Sequence, residues 1–145
     1  MKLTLFTDYA VRVLLYLGAH PDRLCSIAEV AQGYRISQNH LMKVVNQLAR
    51  QGYVESVRGR SGGIRLGRPP EQINLGAVVR DTEDGFDLVD CGRCVVAPAC
   101  GVTGVLHEAL GAFFAVLDRY TLADLLTPHL RLRELLLPQP APAVA

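Results

Sequence analysis

Three of the four cysteines lie within ten residues of one another, in the order Cys91-x2-Cys94-x5-Cys100. Thiolates at this spacing can converge on one metal ion or on one iron–sulfur cluster. Three unliganded thiols are the less favoured interpretation, because clustered free cysteines are readily oxidised. Spacing alone is equally consistent with zinc and with an iron–sulfur cluster, and both usually require a fourth ligand.

The fourth ligand is open at this point. Candidates are His107, Cys25, Asp90 and a residue contributed by another part of a dimer. His107 lies about two turns into a predicted long helix, where a solvated or hydrogen-bonded histidine is the more common case. Cys25 stands apart from the other cysteines and is better explained as a small buried apolar residue.

The charges are divided unevenly along the chain. Residues 1–80 carry eleven Lys and Arg against five Asp and Glu, whereas residues 81–145 carry four against nine. A basic half points to a nucleic-acid partner for that half. The sequence has no apolar run of the ~20 residues that a membrane-spanning helix needs, and its start lacks the pattern of a secretory signal. We therefore expect a cytoplasmic protein without a membrane partner.

The basic half has the pattern of a helix-turn-helix. Periodicity and capping signals predict helices over residues 7–18, 27–32 and 37–51. Thr7 is the predicted N-cap of the first helix, and Ser26 with Glu29 forms a capping box for the second. The predicted turn, residues 33–36, contains Gly33, and Gly52 stands at the C-cap position of the third helix.

A basic β-hairpin is predicted directly after these helices, with strands over residues 53–58 and 64–66 around a glycine-rich turn. A hairpin in this place is the wing of a winged helix-turn-helix. The second helix of such a motif enters the major groove with its first residues facing the base edges, and arginine at a wing tip suits a narrow minor groove. The candidate DNA-binding residues are Ser37, Gln38, Asn39, His40, Lys43, Arg58, Arg60 and Arg65. Ser37 is also a plausible N-cap, and Arg68 is equally consistent with a solubilising role.

The second half combines a loop with a long apolar helix. A short helix over residues 75–81 is followed by an ordered loop that carries the three cysteines. The helix predicted over residues 102–120 is apolar over too broad a face for one small domain, which indicates packing against a second subunit. Thr121 and Asp124 then predict one last short helix with a capping box.

The predicted fold is mainly α with a small β-hairpin wing: a winged helix-turn-helix plus a long C-terminal dimerisation helix. The predicted organisation has four parts. These are a DNA-binding domain (1–80), a cluster-binding loop (81–101), a dimerisation helix with a short C-terminal helix (102–137), and a disordered Pro/Ala-rich tail (138–145).

Several runs carry a family resemblance that extends to about Leu137. They are Leu-Thr-x-Phe6-Thr7-Asp8-Tyr9, Ser37-x-Asn39-His40-Leu-Met-Lys43, the wing from Val57 to Leu66, Pro98-Ala-Cys100, and Tyr120-Thr-Leu-Ala-Asp124-Leu. With these runs the sequence resembles the iron–sulfur winged-helix transcription regulators. Within that family it is most similar to the nitric-oxide-sensitive repressors of the NsrR type.

The resemblance implies a DNA-binding transcriptional repressor, active as a homodimer on a palindromic operator and controlled by a nitric-oxide-sensitive cluster. It implies that Cys91, Cys94 and Cys100 of one subunit hold the cluster near the dimer interface. It further implies that Asp8, at the start of the other subunit's first helix, completes a 4Fe–4S cluster. The short gap between the first two cysteines departs from some relatives and leaves a 2Fe–2S cluster possible.

A histidine ligand is not carried over from the family. Members that use one place it three residues after the last cysteine, where this sequence has Thr103. The alternatives in function are an iron- or cluster-status-responsive regulator of the same fold, and a zinc or thiol-redox-switch regulator. A thiol protein without a DNA function is disfavoured by the wing and the polar helix start. No acid–base or nucleophile constellation outside the cysteines suggests an enzyme.

Overall fold

The computed structural model describes residues 1–137, so the predicted tail lies outside the described residues. The helices are α1 (Leu5–Ala19), α2 (Ile27–Tyr34), α3 (Gln38–Arg50), α4 (Leu75–Thr82), α5 (Val102–Leu117), α6 (Leu122–Leu125) and α7 (His129–Leu136). The strands are β1 (Val54–Val57) and β2 (Gly63–Leu66), and short 3-10 turns span Pro70–Gln72 and Ala97–Ala99. The predicted fold class, mainly helical with a two-stranded antiparallel hairpin, is confirmed.

Helix α1 lies at the centre of the core and packs against α2, α3, α4, α6, α7 and β2. Ala10, Val13, Leu14 and Leu17 are among its fully buried apolar residues, and their spacing places them on one broad face. The predicted N-cap Thr7 is wrong. Thr4 caps the helix by accepting a hydrogen bond from the Thr7 amide, and Thr7 itself is buried one turn inside.

The helix-turn-helix is formed by α2 and α3. The capping box of Ser26 and Glu29 is confirmed, with both reciprocal hydrogen bonds present. The predicted turn begins too early, because α2 continues through Gly33 to Tyr34 and the left-handed position falls on Arg35, with φ 56°. Gly33 faces the Tyr16 ring so closely that a side chain at this position would crowd it. Close packing rather than a turn accounts for this glycine.

The wing is antiparallel, with Glu55 opposite Arg65 and Ser56 opposite Ile64. It is attached to the helices through Cys25, whose backbone exchanges two hydrogen bonds with Ile64, at 2.9 and 2.7 Å. The Cys25 side chain is buried in the core, as predicted. Burial raises the pKa of its thiol to about 11, so Cys25 is an unreactive packing residue.

The second half of the chain is docked to the first through α4. Arg80 forms a bidentate ion pair with Asp118 at the end of α5, with N–O distances of 2.6 and 2.8 Å, and stacks on the Phe114 ring. The predicted capping box of Thr121 and Asp124 is present at α6. Helix α7 was not predicted; it packs on α1, where the Arg133 guanidinium donates to the Ala19 carbonyl. None of the helices within residues 1–137 is long and apolar enough to cross a membrane.

Candidate DNA interface and cysteine loop

The first turn of α3 presents a polar surface. Ser37, Gln38, Asn39, His40 and Lys43 are all exposed, while Leu41, Val44 and Val45 on the opposite face are buried. Ser37 occupies the N-cap position, but its hydroxyl makes no capping hydrogen bond. The amide groups at the start of this helix and the Ser37 hydroxyl are therefore available to an external partner such as a phosphate.

His40 is held in place by α1. Its ring stacks on Tyr9 with a centroid separation of 6.5 Å and an interplanar angle of 27°. This contact was missed in the sequence analysis because it joins two helices whose relative position is not encoded locally. It restricts the direction in which His40 points from the candidate DNA-binding face.

The wing carries two free arginines. Arg58 and Arg60 are exposed and form no ion pair with any residue in the described part of the chain. The tip is shaped by Gly59, with φ 110°, and by Gly62, where a side chain would collide with the Val57 carbonyl. The hairpin thus carries two uncompensated positive charges at its tip, in the same N-terminal half of the chain as α3.

The other two wing arginines already have intramolecular partners. Arg65 forms an exposed ion pair with Glu55, at 2.8 Å, so any contact with a phosphate would compete with that pair. Arg68 donates to the carbonyls of Gln51 and Gly52 and lies 4.6 Å from the centre of the Tyr53 ring. Arg68 therefore joins the end of α3 to the wing, a role that sequence analysis did not assign to it.

The three cysteines follow one another through a series of tight turns. The Cys94 amide donates to the Cys91 carbonyl, Ala97 donates to Cys94, and Cys100 donates to Ala97, at 3.2, 3.2 and 3.4 Å. Each cysteine is thus a multiple of three residues from the next. These turns keep the three thiols in one compact loop, in which only Ala97–Ala99 is a 3-10 helix. Thiolates are soft donors that zinc and iron–sulfur clusters prefer, so the donor set fits a metal or iron–sulfur centre.

The thiols differ in exposure. Cys91 and Cys100 are half-buried, whereas Cys94 is exposed. Within residues 1–137, no three or more His, Cys, Asp or Glu side chains are gathered closely enough to hold a metal ion. The Cys91 sulfur lies 3.5 Å from the hydroxyl of Thr103 on α5, so the loop is anchored to the start of that helix.

A cavity of about 500 Å³ opens beside Cys91. Its lining combines apolar side chains of α5 with Asp87, Asp90 and His107. His107 therefore faces the same space as Cys91, although it is not gathered with the thiols. Asp90 accepts a hydrogen bond from the Gly92 amide at 3.0 Å, which fixes the turn that contains Cys91.

Asp8 lies in the first turn of α1 and lines a groove together with residues 85–88, which lead toward Cys91. Both of its carboxylate oxygens accept hydrogen bonds from the Arg12 guanidinium, at 3.0 and 2.8 Å. Arg12 in turn lies 5.7 Å from the centre of the Tyr34 ring. The hydrogen bonds and charge of Asp8 outweigh burial and raise the pKa of Arg12. The i, i+4 spacing of Asp8 and Arg12 was a visible signal for this pair.

The groove around Asp8 is mainly apolar. It has a volume of about 940 Å³ and lies between the start of α1, α4 and α5. Helix α5 is largely uncovered in the single chain: Phe114 is its one buried residue, while Val102, Val105 and Val116 are 57%, 65% and 46% exposed.

Comparison with known proteins identifies the class of regulator. The Rrf2 family, described as an iron-dependent transcriptional regulator, matches residues 3–128. The chain is 56% identical over 131 residues to the HTH-type transcriptional regulator NsrR of Bacillus subtilis (strain 168), covering 86% of this chain and 90% of that protein. It is 49% identical over 142 residues to NsrR of Bacillus licheniformis, covering 94% and 99%.

A solved structure supports the same assignment. T. potens IscR superposes with a TM-score of 0.74 at 26% identity, over 88% of each chain. Residues 3–128, which match the Rrf2 family, include the helix-turn-helix, the wing, the cysteine loop and α5, and the relatives are transcriptional regulators rather than enzymes. The chain belongs to the Rrf2 family of DNA-binding transcriptional regulators.

Proposed function

We propose that this protein is a transcriptional repressor that binds a palindromic operator as a homodimer under the control of a nitric-oxide-sensitive iron–sulfur cluster. Cys91, Cys94 and Cys100 would hold the cluster, with 4Fe–4S favoured over 2Fe–2S. The observation that carries the proposal is the series of turns linking these three thiols, in a loop between the DNA-binding half and α5. The iron of such a cluster supplies the centre with which nitric oxide reacts.

The homodimer is supported by the uncovered apolar surface of α5. A helix with one buried residue and several exposed valines is unfavourable in water unless a second surface covers it. The apolar groove continues from α5 to the start of α1, which carries Asp8. A second copy packed here would bring its own first helix toward the cysteine loop.

The fourth ligand would be the partner subunit's Asp8. Within one chain, the bidentate contact with Arg12 fixes the direction of this carboxylate, and a fixed direction favours metal ligation. Loss of this ligation would free the start of α1 from the cysteine loop of the other subunit. Because α1 packs against α3 and His40 stacks on Tyr9, a shift of α1 would change the position of the recognition helix.

DNA contact would be divided between two elements. The exposed side chains Gln38 and Asn39 would face base edges, while Arg58 and Arg60 of the wing would contact phosphates or a minor groove. Ser37, His40 and Lys43 would add contacts from the start of α3. Arg65 would contribute only by giving up its ion pair with Glu55.

The decisive test of the cofactor is an analysis of iron, sulfide and zinc in anaerobically purified protein, with a gel shift on operator DNA. We expect iron and sulfide in equal amounts, and salt-dependent operator binding that Cys94→Ala abolishes or weakens. Cys25→Ala is the matched control, because its thiol lies in the core away from the loop. Zinc without sulfide would contradict the cluster and favour the zinc alternative. A cluster that responds to iron depletion but not to nitric oxide would instead favour the cluster-status regulator.

A further inference from the structure

One residue at the end of α4 binds three side chains from the end of the recognition helix and the start of the wing. The Asp81 carbonyl accepts hydrogen bonds from the Nε2 atoms of Gln47 and Gln51, both at 2.9 Å. The Asp81 carboxylate accepts a third from the Tyr53 hydroxyl, at 2.6 Å. No other residue in the described part of the chain ties α4 to α3 by side-chain hydrogen bonds.

The chemistry of these contacts explains their direction. The last carbonyls of a helix have no partner within the helix, so the Asp81 carbonyl is free to accept donors from outside. Gln47 lies in the last turn of α3 and Gln51 is its C-cap residue, so the two are four residues apart and lie on one face, one above the other. The Gln51 amide is oriented by its Nε2 donation to the Asp81 carbonyl, while its Oε1 atom is buried without a hydrogen-bond partner among the described residues.

Tyr53 makes the connection stiff. Its side chain is 3% exposed, and the Arg68 guanidinium covers its ring while donating to the Gln51 carbonyl. Burial, together with the hydrogen bond and charge of Asp81, raises the pKa of Tyr53 to about 12. The hydroxyl therefore remains a donor throughout the physiological pH range.

Asp81 also stands next to the origin of the cysteine loop. Two residues later the chain leaves α4 at Glu83, whose carboxylate accepts hydrogen bonds from Thr4 at the start of α1. Phe86 then packs edge-on against Phe114 of α5, at 4.7 Å between ring centres. The segment that leads to Cys91 is thus connected through α4 to the end of α3.

We propose that Asp81 is a positioning residue that couples the state of the cysteine loop to the orientation of the recognition helix, through Gln47, Gln51 and Tyr53. This coupling rests on the proposed function, and it adds a path within one subunit to the path through Asp8. A rearrangement of the loop that moves the end of α4 moves the end of α3 and the wing together, because all three donors bind the same residue.

The test separates coupling from a merely structural role. Operator affinity is measured for the cluster-loaded and the cluster-free form of the wild type, Gln47→Ala/Gln51→Ala, Tyr53→Phe and the control Gln72→Ala. Gln72 is exposed in the turn Pro70–Gln72, away from Asp81. We expect the wild type and the control to lose about a hundredfold in affinity on cluster loss, within the usual range of allosteric coupling. The glutamine variant should lose less than about tenfold, and Tyr53→Phe an intermediate amount.

A second readout does not depend on DNA. Amide hydrogen exchange of residues 47–53 should become faster on cluster removal in the wild type, and the glutamine variant should exchange fast in both forms. Tyr53→Phe keeps the aromatic ring, so it provides the answer if the glutamine variant does not fold. The coupling would be overturned if the ratio of cluster-loaded to cluster-free operator affinity in both variants lay within twofold of the wild-type ratio. It would also be overturned if cluster removal left the amide exchange of residues 47–53 in the wild type unchanged. If the cluster-loaded and cluster-free forms of the wild type bind the operator with equal affinity, the proposed function is overturned, and the coupling with it.

Discussion

The Thr4 amide and hydroxyl both donate to one carboxylate oxygen of Glu83, at 2.8 and 3.0 Å, across 79 positions of sequence. This contact joins the first turn of α1, which carries Asp8, to the residue where α4 ends. It also places a negative charge at the amino end of α1, where the helix dipole favours one. The start of the first helix is therefore fixed from the side on which the cysteine loop begins.

Glu83→Gln should lower the free energy of unfolding by about 1 kcal/mol at pH 7, below the ~1.5–3 kcal/mol typical of hydrogen bonds to charged groups, because solvent screens this partly exposed carboxylate. Burial would raise the pKa of Glu83, but hydrogen bonds from Thr7 and Thr4 outweigh it and lower the pKa below the ordinary 4.5. A lowered pKa stabilises the fold above about pH 4.5, and this contribution is lost as the pH falls through the folded-state value. Urea denaturation should therefore show the difference from wild type shrinking below pH 4.5.

The control for this prediction is Glu71→Gln, because Glu71 is exposed and makes no ion pair or side-chain hydrogen bond within residues 1–137. Glu71→Gln should leave the free energy of unfolding unchanged at pH 7 and below pH 4.5. A Glu83→Gln variant as stable as wild type at pH 7 would show that the contact with Thr4 contributes nothing.

Gly76→Ala should weaken the docking of α4 on α5. A side chain at this position would overlap the Asp118 carboxylate, which is paired with Arg80. Overpacking of this kind costs about 1–3 kcal/mol, partly offset by the better helix propensity of alanine. Thermal unfolding should show the loss, and adding Asp118→Ala should restore part of it by removing the overlapped group. A double variant no more stable than Gly76→Ala would contradict this explanation.

Substitutions in the wing and in the recognition helix should have different effects on the salt dependence of DNA binding. Arg60→Ala should weaken binding to operator and to unrelated DNA alike, and should reduce the slope of log affinity against log salt by about 0.9. Asn39→Ala should weaken only operator binding, by about 1–3 kcal/mol, and leave the slope unchanged. Arg119→Ala, at the exposed end of α5, is the control for loss of charge alone. An unchanged slope for Arg60→Ala would remove the wing tip from the interface.

Two tyrosines on neighbouring helices should respond oppositely to loss of the hydroxyl. The Tyr34 hydroxyl is buried without a partner among the described residues, so Tyr34→Phe should leave stability unchanged or raise it by about 1 kcal/mol. The Tyr16 hydroxyl donates to Glu29 at 3.2 Å, so Tyr16→Phe should lower stability by about 1 kcal/mol. Urea denaturation of the two variants provides the comparison. Equal changes in the stability of the two variants would show that hydrogen bonding of the hydroxyl does not determine the effect of Tyr→Phe.

The elements that sequence analysis predicted well carry their signals locally. Ser26 and Glu29 form their capping box within one turn, and Gly52, with φ 77°, ends α3 in the left-handed conformation that glycine favours. The wing follows from alternating residues around a glycine-rich turn. These features depend on neighbours a few residues away, so they can be predicted without knowledge of the packing.

The wrong or missing predictions concern features that depend on contacts between residues far apart in the sequence. Thr4 rather than Thr7 caps α1, and Thr4 is held in place by hydrogen bonds to Glu83 that are invisible in the local sequence. Helix α7 begins at His129 without a side-chain cap and depends on its contact with α1, so no local pattern indicated it. The role of Asp8 came from family resemblance, whereas the contacts of Asp81 with α3 and the wing required the fold.

The most direct test of the central claim is a nitric-oxide titration of anaerobically purified protein, followed by visible absorbance and operator affinity in the same samples. The account predicts a brown protein whose cluster absorbance and operator affinity decline together within a few equivalents of nitric oxide. Asp8→Ala should alter cluster stability or the nitric-oxide response in the same assay. A cluster that bleaches while operator affinity stays at its starting value would contradict control of DNA binding by the cluster.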